Sequence, residues 1–265
     1  MRQLIPLRSA VAKDGVGGKA TSLGKLLRGG FRVPDGFVVI AGAETLSELK
    51  PTILEAFDAL KTSFAAVRSS AVNEDGDTAA WAGQLDTFLN VPRDQLLRRI
   101  ADCMASADSA RARAYALHRK LTAGNVAVIV QAMVDSDVSG VAFSAHPVTG
   151  SRDHIVIEAA LGLGEAVVSG EITPDTYTLE AVSGKVTKAL IARQTRQLVR
   201  GKHDTTTWQT LQPPADDPKL TSPQLTELVG TVCQLANFYG YPIDVEWAFA
   251  DGALYILQVR PITTL

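Results

Sequence analysis

The sequence predicts an α+β chain built as two lobes, and three observations carry that expectation. Its 265 residues are enough for one large domain or two medium ones, each able to bury a core. The first half mixes short apolar runs with helix-period segments, whereas from Val126 the character turns β-branched, alternating and punctuated by glycine. The change falls at Gly124-Asn125, so the expected lobes are residues 1–124 and 125–265. Finally, the run from Tyr241 to Pro261 holds two β-rich segments around Asp251-Gly252, a strong hairpin signal.

Taken in order, Leu4 to Leu7 suits a short strand. Gly17-Gly18 then opens a helical pattern with Leu23, Leu26 and Leu27 as its apolar stripe, ending at Gly29-Gly30. Lys19 stands at the start of that helix, where a cation opposes the dipole unless an anion binds there. The loop is not a Walker loop, because GxxxxGK[ST] is absent. A plain surface lysine remains an alternative. Pro34-Asp-Gly36 marks a turn before a buried strand at 37–40, and 44–60 reads as helix with a possible interruption at Pro51. Phe64 to Ala71 is a strand running into small hydroxyl residues. The acidic stretch 73–84 reads as a flexible loop, freed at Gly76 and Gly83, of a kind whose backbone N–H groups can close over a polyphosphate. A strand at 85–91 and helix over much of 92–121 come next.

Beyond the break, Val126 to Val134 is a buried strand with one polar member, Gln131. Val138–Pro147 and His154–Ala159 are placed to pair around Thr149-Gly150. Glu158 interrupts an apolar strand, which calls for a satisfied contact or a site. Leu161 to Glu165 is a glycine-rich bend, and Pro174-Asp175 leads into a strand at 177–180. Residues 193–212 are polar and basic. Ser222, as cap, and Pro223, at the first helical position, start a helix with Leu225, Leu228, Val232, Leu235 and Phe238 on one side. Gly240 ends it.

On the closing hairpin Asp244, Glu246 and Ala248 share one face and Val245, Trp247 and Phe249 the other. Pairing around Gly252 sets Glu246 nearly opposite Gln258, with Asp244 and Arg260 close by. Carboxylates, an amide oxygen and a guanidinium suit a hard divalent cation beside a phosphate. A solvated sheet face is the plain alternative.

Bulk properties narrow the classes. With 26 Lys and Arg against 28 Asp and Glu, the formal charge is −2 and gives no support for nucleic-acid or anionic-membrane binding. Cys103 and Cys233 lack metal-ligand spacing, and the four histidines form no HExxH pattern. Neither a signal peptide nor a charge-free membrane-length run is visible, so a cytoplasmic protein is expected.

Together the motifs resemble a known family. Gly17–Leu23, Val33–Phe37, Val67–Ala71, Ala82–Gln84, Gln131–Val134, Ser139–Ser144, Pro147–Gly150, Gly162–Glu165, Pro174-Asp175 and Gln258–Pro261 fall in the order found in the ATP-binding domain of phosphoenolpyruvate synthase, pyruvate phosphate dikinase and rifampin phosphotransferase. The resemblance spans nearly the whole chain. It implies an ATP-grasp fold with the nucleotide between two lobes, and ATP and Mg²⁺ as ligands. Carried over by position, Lys19 and Arg68 resemble the phosphate contacts of the first lobe. Glu246 and Gln258 resemble the Mg²⁺ ligands, with Arg260 the arginine beside them; Lys19, Arg68 and Arg260 are the catalytic candidates. Gln131, Met133 and Val134 match the adenine-lining segment, and Thr78 and Gly83 belong to the glycine-rich loop over the phosphates.

Three departures accompany the match. The stretch between the strands at Phe37 and Phe64 is short, so the first lobe is trimmed. Ala80 stands where the family has a serine before its aromatic, with Thr78 in a place often held by Gly or Asp. The family's phosphoryl-accepting histidine lies in a mobile domain that these residues do not resemble. The resemblance therefore implies transfer of the β-phosphoryl to a histidine on a separate acceptor protein, leaving AMP and phosphate, as one subunit of a split phosphotransferase. Direct transfer to a small molecule and a non-catalytic nucleotide-binding module are the alternatives. A further expectation is that the lobes close around residues 73–84, with Trp81 at a partner contact.

Overall fold

A computed structural model describes residues 3–40, 46–71, 75–76, 79–80, 87–106, 126–202 and 205–262. The chain is α+β and forms two compact units, Met1–Met133 with Gly201–Thr206, and Val134–Arg200 with Thr207–Leu265.

In the first unit, strands β1 (Leu4–Pro6), β2 (Gly36–Val39), β3 (Phe64–Ala71), β6 (Thr87–Pro92) and β7 (Val126–Ala132) make one antiparallel sheet in the order β1-β2-β7-β3-β6. A two-residue pair, β4 (Asp75–Gly76) with β5 (Ala79–Ala80), stands apart. Helices α2 (Leu46–Ala59) and α3 (Leu96–Ser106) bury Ile53, Phe57, Leu96, Ile100 and Cys103 against Phe37, Val67, Val128 and Val130. Pro51 lies inside α2 without ending it. Helix α1 (Gly17–Arg28) packs on β3 and carries the expected stripe of Leu23, Leu26 and Leu27.

The lobe boundary differs from the sequence expectation of Gly124-Asn125. Strand β7 is central to the first sheet, with β2 on one side and β3 on the other. Its run of Val126–Val130 has the same β-branched character as the strands of the second unit, so composition alone places the change too early. The first unit's main stretch runs through Met133, whose N–H donates to the Phe64 carbonyl.

The second unit is a six-stranded antiparallel sheet in the order β11-β10-β9-β8-β14-β15. Its strands are β8 (Val138–Phe143), β9 (His154–Leu161), β10 (Asp175–Glu180), β11 (Val186–Leu190), β14 (Ile243–Ala250) and β15 (Ala253–Pro261). A short helix, α4 (Glu165–Val168), comes after the glycine-rich bend. Helix α5 (Ser222–Tyr239) buries Leu228, Val229, Val232 and Leu235, while Phe238 remains exposed. Its cap is Thr221, not Ser222. Thr221 Oγ1 accepts from Gln224 N–H while Gln224 Oε1 accepts from Thr221 N–H, a reciprocal pair that needs the glutamine three residues after the cap. The polar segment near 193–212 forms a hairpin of β12 (Gln194–Arg200) and β13 (Thr206–Ala215), stiffened by Arg196 stacked 3.9 Å over Trp208. Exposed on much of both faces, these strands lack the alternation that announces a strand.

One buried cluster ties the start of β10 to the approach of α5. Asp175 Oδ1 accepts from Ala192 N–H (2.9 Å) and Lys219 Nζ (3.1 Å). Its Oδ2 accepts from Tyr177 O–H (2.9 Å) and Lys219 N–H (2.8 Å). Lys219 Nζ also donates to the carbonyls of Ala192 and Asp217. With both side chains essentially inaccessible, at 2% and 0% exposure, each charge is fully compensated, as burial requires.

Candidate functional site

The candidate residues divide between the units. In the first, Gly17 opens α1 with φ +80°, and a β-carbon there would lie 2.4 Å from the Ser70 carbonyl oxygen. Only glycine allows this approach, which lets Ser70 Oγ accept from Ala20 N–H at 3.2 Å. A strand 50 residues away thus caps the helix in place of a local side chain. Lys19 is the third residue of α1 and is partly exposed. Arg68 and Ser70 alternate with buried Val67 and Ser69, so Arg68 emerges on the α1 side of the sheet. Gln131 pairs with Ala66, and Arg68 with Ile129, which sets Gln131 on that same face. Lys19, Arg68 and Gln131 therefore share one side of the first unit. Gln131 is 2% exposed and donates through Nε2 to the Pro34 carbonyl at 2.9 Å, tying β7 to the turn before β2. Met133 is half-buried at the end of this unit, and Val134, also half-buried, begins the next. Thr78, Gly83, Trp81 and Gly124-Asn125 lie outside the described residues.

In the second unit, the closing hairpin turns at Asp251-Gly252, both with positive φ (51° and 73°), as a two-residue turn of this hand requires. Ala250 pairs with Ala253 and Trp247 with Ile256, but then Glu246 pairs with Gln258 and Asp244 with Arg260. Leu257 is the extra residue, a β-bulge beside Glu246. The bulge reverses the phase of β15. Leu254 and Ile256 face the core with Trp247 and Phe249, whereas Gln258 and Arg260 join Asp244 and Glu246 on the opposite face. An unbulged hairpin would have set Glu246 against Leu257. Trp247 and Phe249, edge to face at 5.8 Å, anchor the apolar side.

On the polar face Arg260 Nη2 lies 3.2 Å from Asp244 Oδ2 and 3.5 Å from Glu246 Oε1. Glu246 pairs across β14–β8 with Val141, and Val141 across β8–β9 with Glu158, so Glu158 stands in the same cross-strand row. Burial pushes the Glu158 carboxyl above its ordinary range. Burial also raises that of Asp244; the Arg260 guanidinium pulls it down, and the Glu246 and Glu158 carboxylates push it up. Asp244 Oδ1 is buried and accepts no hydrogen bond among the described residues. Val141, Ala160 and Val167, with Phe143 and Ile172, form an apolar patch beside this row.

The face thus holds three carboxylates against one guanidinium, with an oxygen lacking a donor. Among the described residues no group of three or more His, Cys, Asp or Glu is gathered closely enough to enclose a metal. Glu246 and Gln258, in register across the hairpin, offer a carboxylate and an amide oxygen, the ligand types that Mg²⁺ takes beside phosphate and water oxygens. Asp244 already stands in the carboxylate set read from the hairpin sequence, and Glu158 is the carboxylate that breaks an apolar strand. That Glu158 shares a row with Glu246 depends on which strands stand side by side, which the sequence does not show.

No helix among the described residues is long and apolar enough to cross a membrane. Comparison with known proteins places the chain. It is 35% identical over 281 residues to the prodigiosin synthesizing transferase PigC of Serratia marcescens, covering 94% of this chain and 32% of that protein. It is 35% identical over 301 residues to a probable phosphoenolpyruvate synthase of Archaeoglobus fulgidus, covering 94% of this chain and 40% of the other. Among solved structures, D-alanyl-alanine synthetase A of Vibrio cholerae superposes with a TM-score of 0.44 at 10% identity, over 95% of this chain and 57% of that one, too loosely to transfer any residue. The chain spans well under half the length of these two sequence relatives. Residues 40–265 match the family described as pyruvate phosphate dikinase, AMP/ATP-binding domain, and the chain belongs to that family.

Proposed function

We propose that this chain is the ATP-binding component of a phosphotransferase, an ATP-grasp pair of lobes acting on one ATP·Mg²⁺. In this reading it passes the β-phosphoryl to a histidine on a separate acceptor protein, with one water consumed and AMP and phosphate released. The observation that carries it is the hairpin face, where Glu246 and Gln258 are in register and Arg260 reaches two carboxylates, one of them with a donorless oxygen. Phosphoryl transfer depends on charge neutralisation and alignment more than on a nucleophilic triad. Family membership supports the nucleotide.

The roles rest on side-chain chemistry. Lys19, in the first turn of α1, and Arg68, on the same side of the first unit, bind and orient phosphate oxygens. Arg260 presents a planar fork to the phosphate nearest the hairpin while holding Asp244 and Glu246 in place. Glu246 and Gln258 hold the metal, which when bound neutralises phosphate charge. Met133 and Val134 line the adenine, with buried Gln131 fixing the strand that leads to them. Thr78 and Gly83 cover the phosphates from the glycine-rich loop.

Calorimetry with ATP and Mg²⁺ tests the binding half. Glu246→Ala is expected to weaken metal-dependent binding by about tenfold or more, a loss of about 1.4 kcal/mol or more, with the urea midpoint little changed, since Glu246 lies off the core. Absence of binding by the wild-type chain at millimolar ATP defeats the reading. The product separates the chemistry: AMP with a phosphohistidine on an added acceptor supports it. ADP with phosphate on a small molecule favours direct transfer, the second reading, which the similarity to a transferase named for prodigiosin synthesis motivates.

A further inference from the structure

The second unit has a cavity on the side of its sheet away from the carboxylate row. It measures about 480 Å³, within the range of small-molecule sites. Ile155, the residue of β9 that lines it, points to the α5 side, whereas Glu158 points to the other. The cavity lies at the end of α5, among Cys233, Ala236 and Asn237, with Val182 and Tyr241 beside it. Arg152 is the one charged residue among the described residues of its lining.

Two features distinguish this cavity from an ordinary surface dent. Neither the Arg152 side chain nor that of Asn237 makes a hydrogen bond or ion pair among the described residues. A guanidinium and a carboxamide, neither with a side-chain partner among the described residues, thus line a concavity that the apolar Ile155 and Ala236 also line. In addition, its wall is the backbone that launches β14. Ile243 N–H donates to Ser144 Oγ at 2.8 Å, and Ile262 N–H to the Pro242 carbonyl at 3.0 Å, immediately before Asp244.

We infer that this cavity is a second binding site, distinct from the hairpin face, for a small organic anion: a carboxylate or phosphate monoester on a planar, apolar body. Arg152 takes the anionic group as a fork and Asn237 adds a donor. The ring rests on Ile155 and Ala236, with the Tyr241 ring at its edge. Arg152 and Asn237 are exposed, so they are free to adapt to the shape of the anion. A ligand there rests on the segment that positions Asp244.

Cys233 provides a reporter within the cavity. Its thiol is half-buried and donates to the Ala181 carbonyl at 3.6 Å, whereas Cys103 is fully buried. Burial pushes the Cys233 thiol up, so alkylation is run at alkaline pH with a neutral reagent and read by peptide mass spectrometry. The probes are benzoate, phenyl phosphate and neutral benzamide. With a Kd on the order of 1 mM, about 10 mM of an anionic probe leaves about a tenth of the cavity open and slows labelling about tenfold. The expected result is slowing by benzoate or phenyl phosphate, little by benzamide, and none in Arg152→Gln. Which anion slows labelling more distinguishes a carboxylate from a phosphate ligand. An unchanged rate with both anions, equal slowing by benzamide, or full slowing in Arg152→Gln overturns the inference. Because the readout needs no ATP, its failure is separate from failure of the phosphotransfer reading.

Discussion

Removing the Asp175 carboxylate is expected to destabilise the second unit more than any change on the hairpin face. The side chain accepts four hydrogen bonds and neutralises a lysine that is itself 2% exposed. In Asp175→Ala the ammonium of Lys219 keeps only the carbonyls of Ala192 and Asp217, at 2.6 and 2.9 Å, and two backbone N–H groups and the Tyr177 hydroxyl lose their acceptor. Breaking a buried pair by deleting one partner costs about 3–5 kcal/mol. The two remaining carbonyls partly solvate the ammonium, which places the expected loss near the lower end, about 3 kcal/mol. Lys219→Met removes the cation but leaves the carboxylate three donors, so about 2 kcal/mol is expected there. The double variant then falls short of the sum, because the second deletion no longer strands a charge. Urea unfolding, monitored by circular dichroism and by tryptophan fluorescence, measures all three. A loss below about 1 kcal/mol for Asp175→Ala, or strict additivity in the double variant, refutes the reasoning.

Two further predictions concern the candidate site. Asp244→Asn is expected to raise the urea midpoint at about pH 8 while weakening ATP·Mg²⁺ binding. Since Asp244 titrates above its unfolded value, the folded state holds its proton longer; wild-type stability from this group falls as pH rises from about 4 through the raised folded value, and the variant's advantage vanishes below that window. A lower midpoint at pH 8, or an advantage that persists in acid, contradicts this account. Gly17→Ala forces a β-carbon into the Ser70 carbonyl and is expected to cost about 2–4 kcal/mol and to weaken ATP binding through Lys19. Gly15→Ala, at φ +72° with nothing within 4 Å, bears only the backbone strain of about 1–2 kcal/mol, and equal losses in the two variants would exclude a packing role for Gly17.

The sequence by itself determined the local elements and much of the site chemistry. The stripe of Leu23, Leu26 and Leu27 makes α1, and Asp251-Gly252 makes the hairpin turn, because period and turn preference act over a few neighbouring residues. Ordered motifs brought out Glu246, Gln258 and Arg260 together. Tertiary structure decided what depends on which strands lie side by side. Strand β7 joined the first unit because β2 and β3 both pair with it, though its composition matched the strands beyond. Ser70 caps α1 from 50 residues away, a contact no local pattern encodes. Lys219 neutralises Asp175 across 44 residues, and Glu158 enters the row of Glu246 only through Val141 on the strand between them. The bulge at Leu257 joins the two scales. The slip from Leu254 and Ile256 to Val259 is written in the sequence, but only burial of Trp247 and Val245 against the core commits the chain to the phase that sets Gln258 opposite Glu246, since a one-residue shift in a strand exchanges its faces.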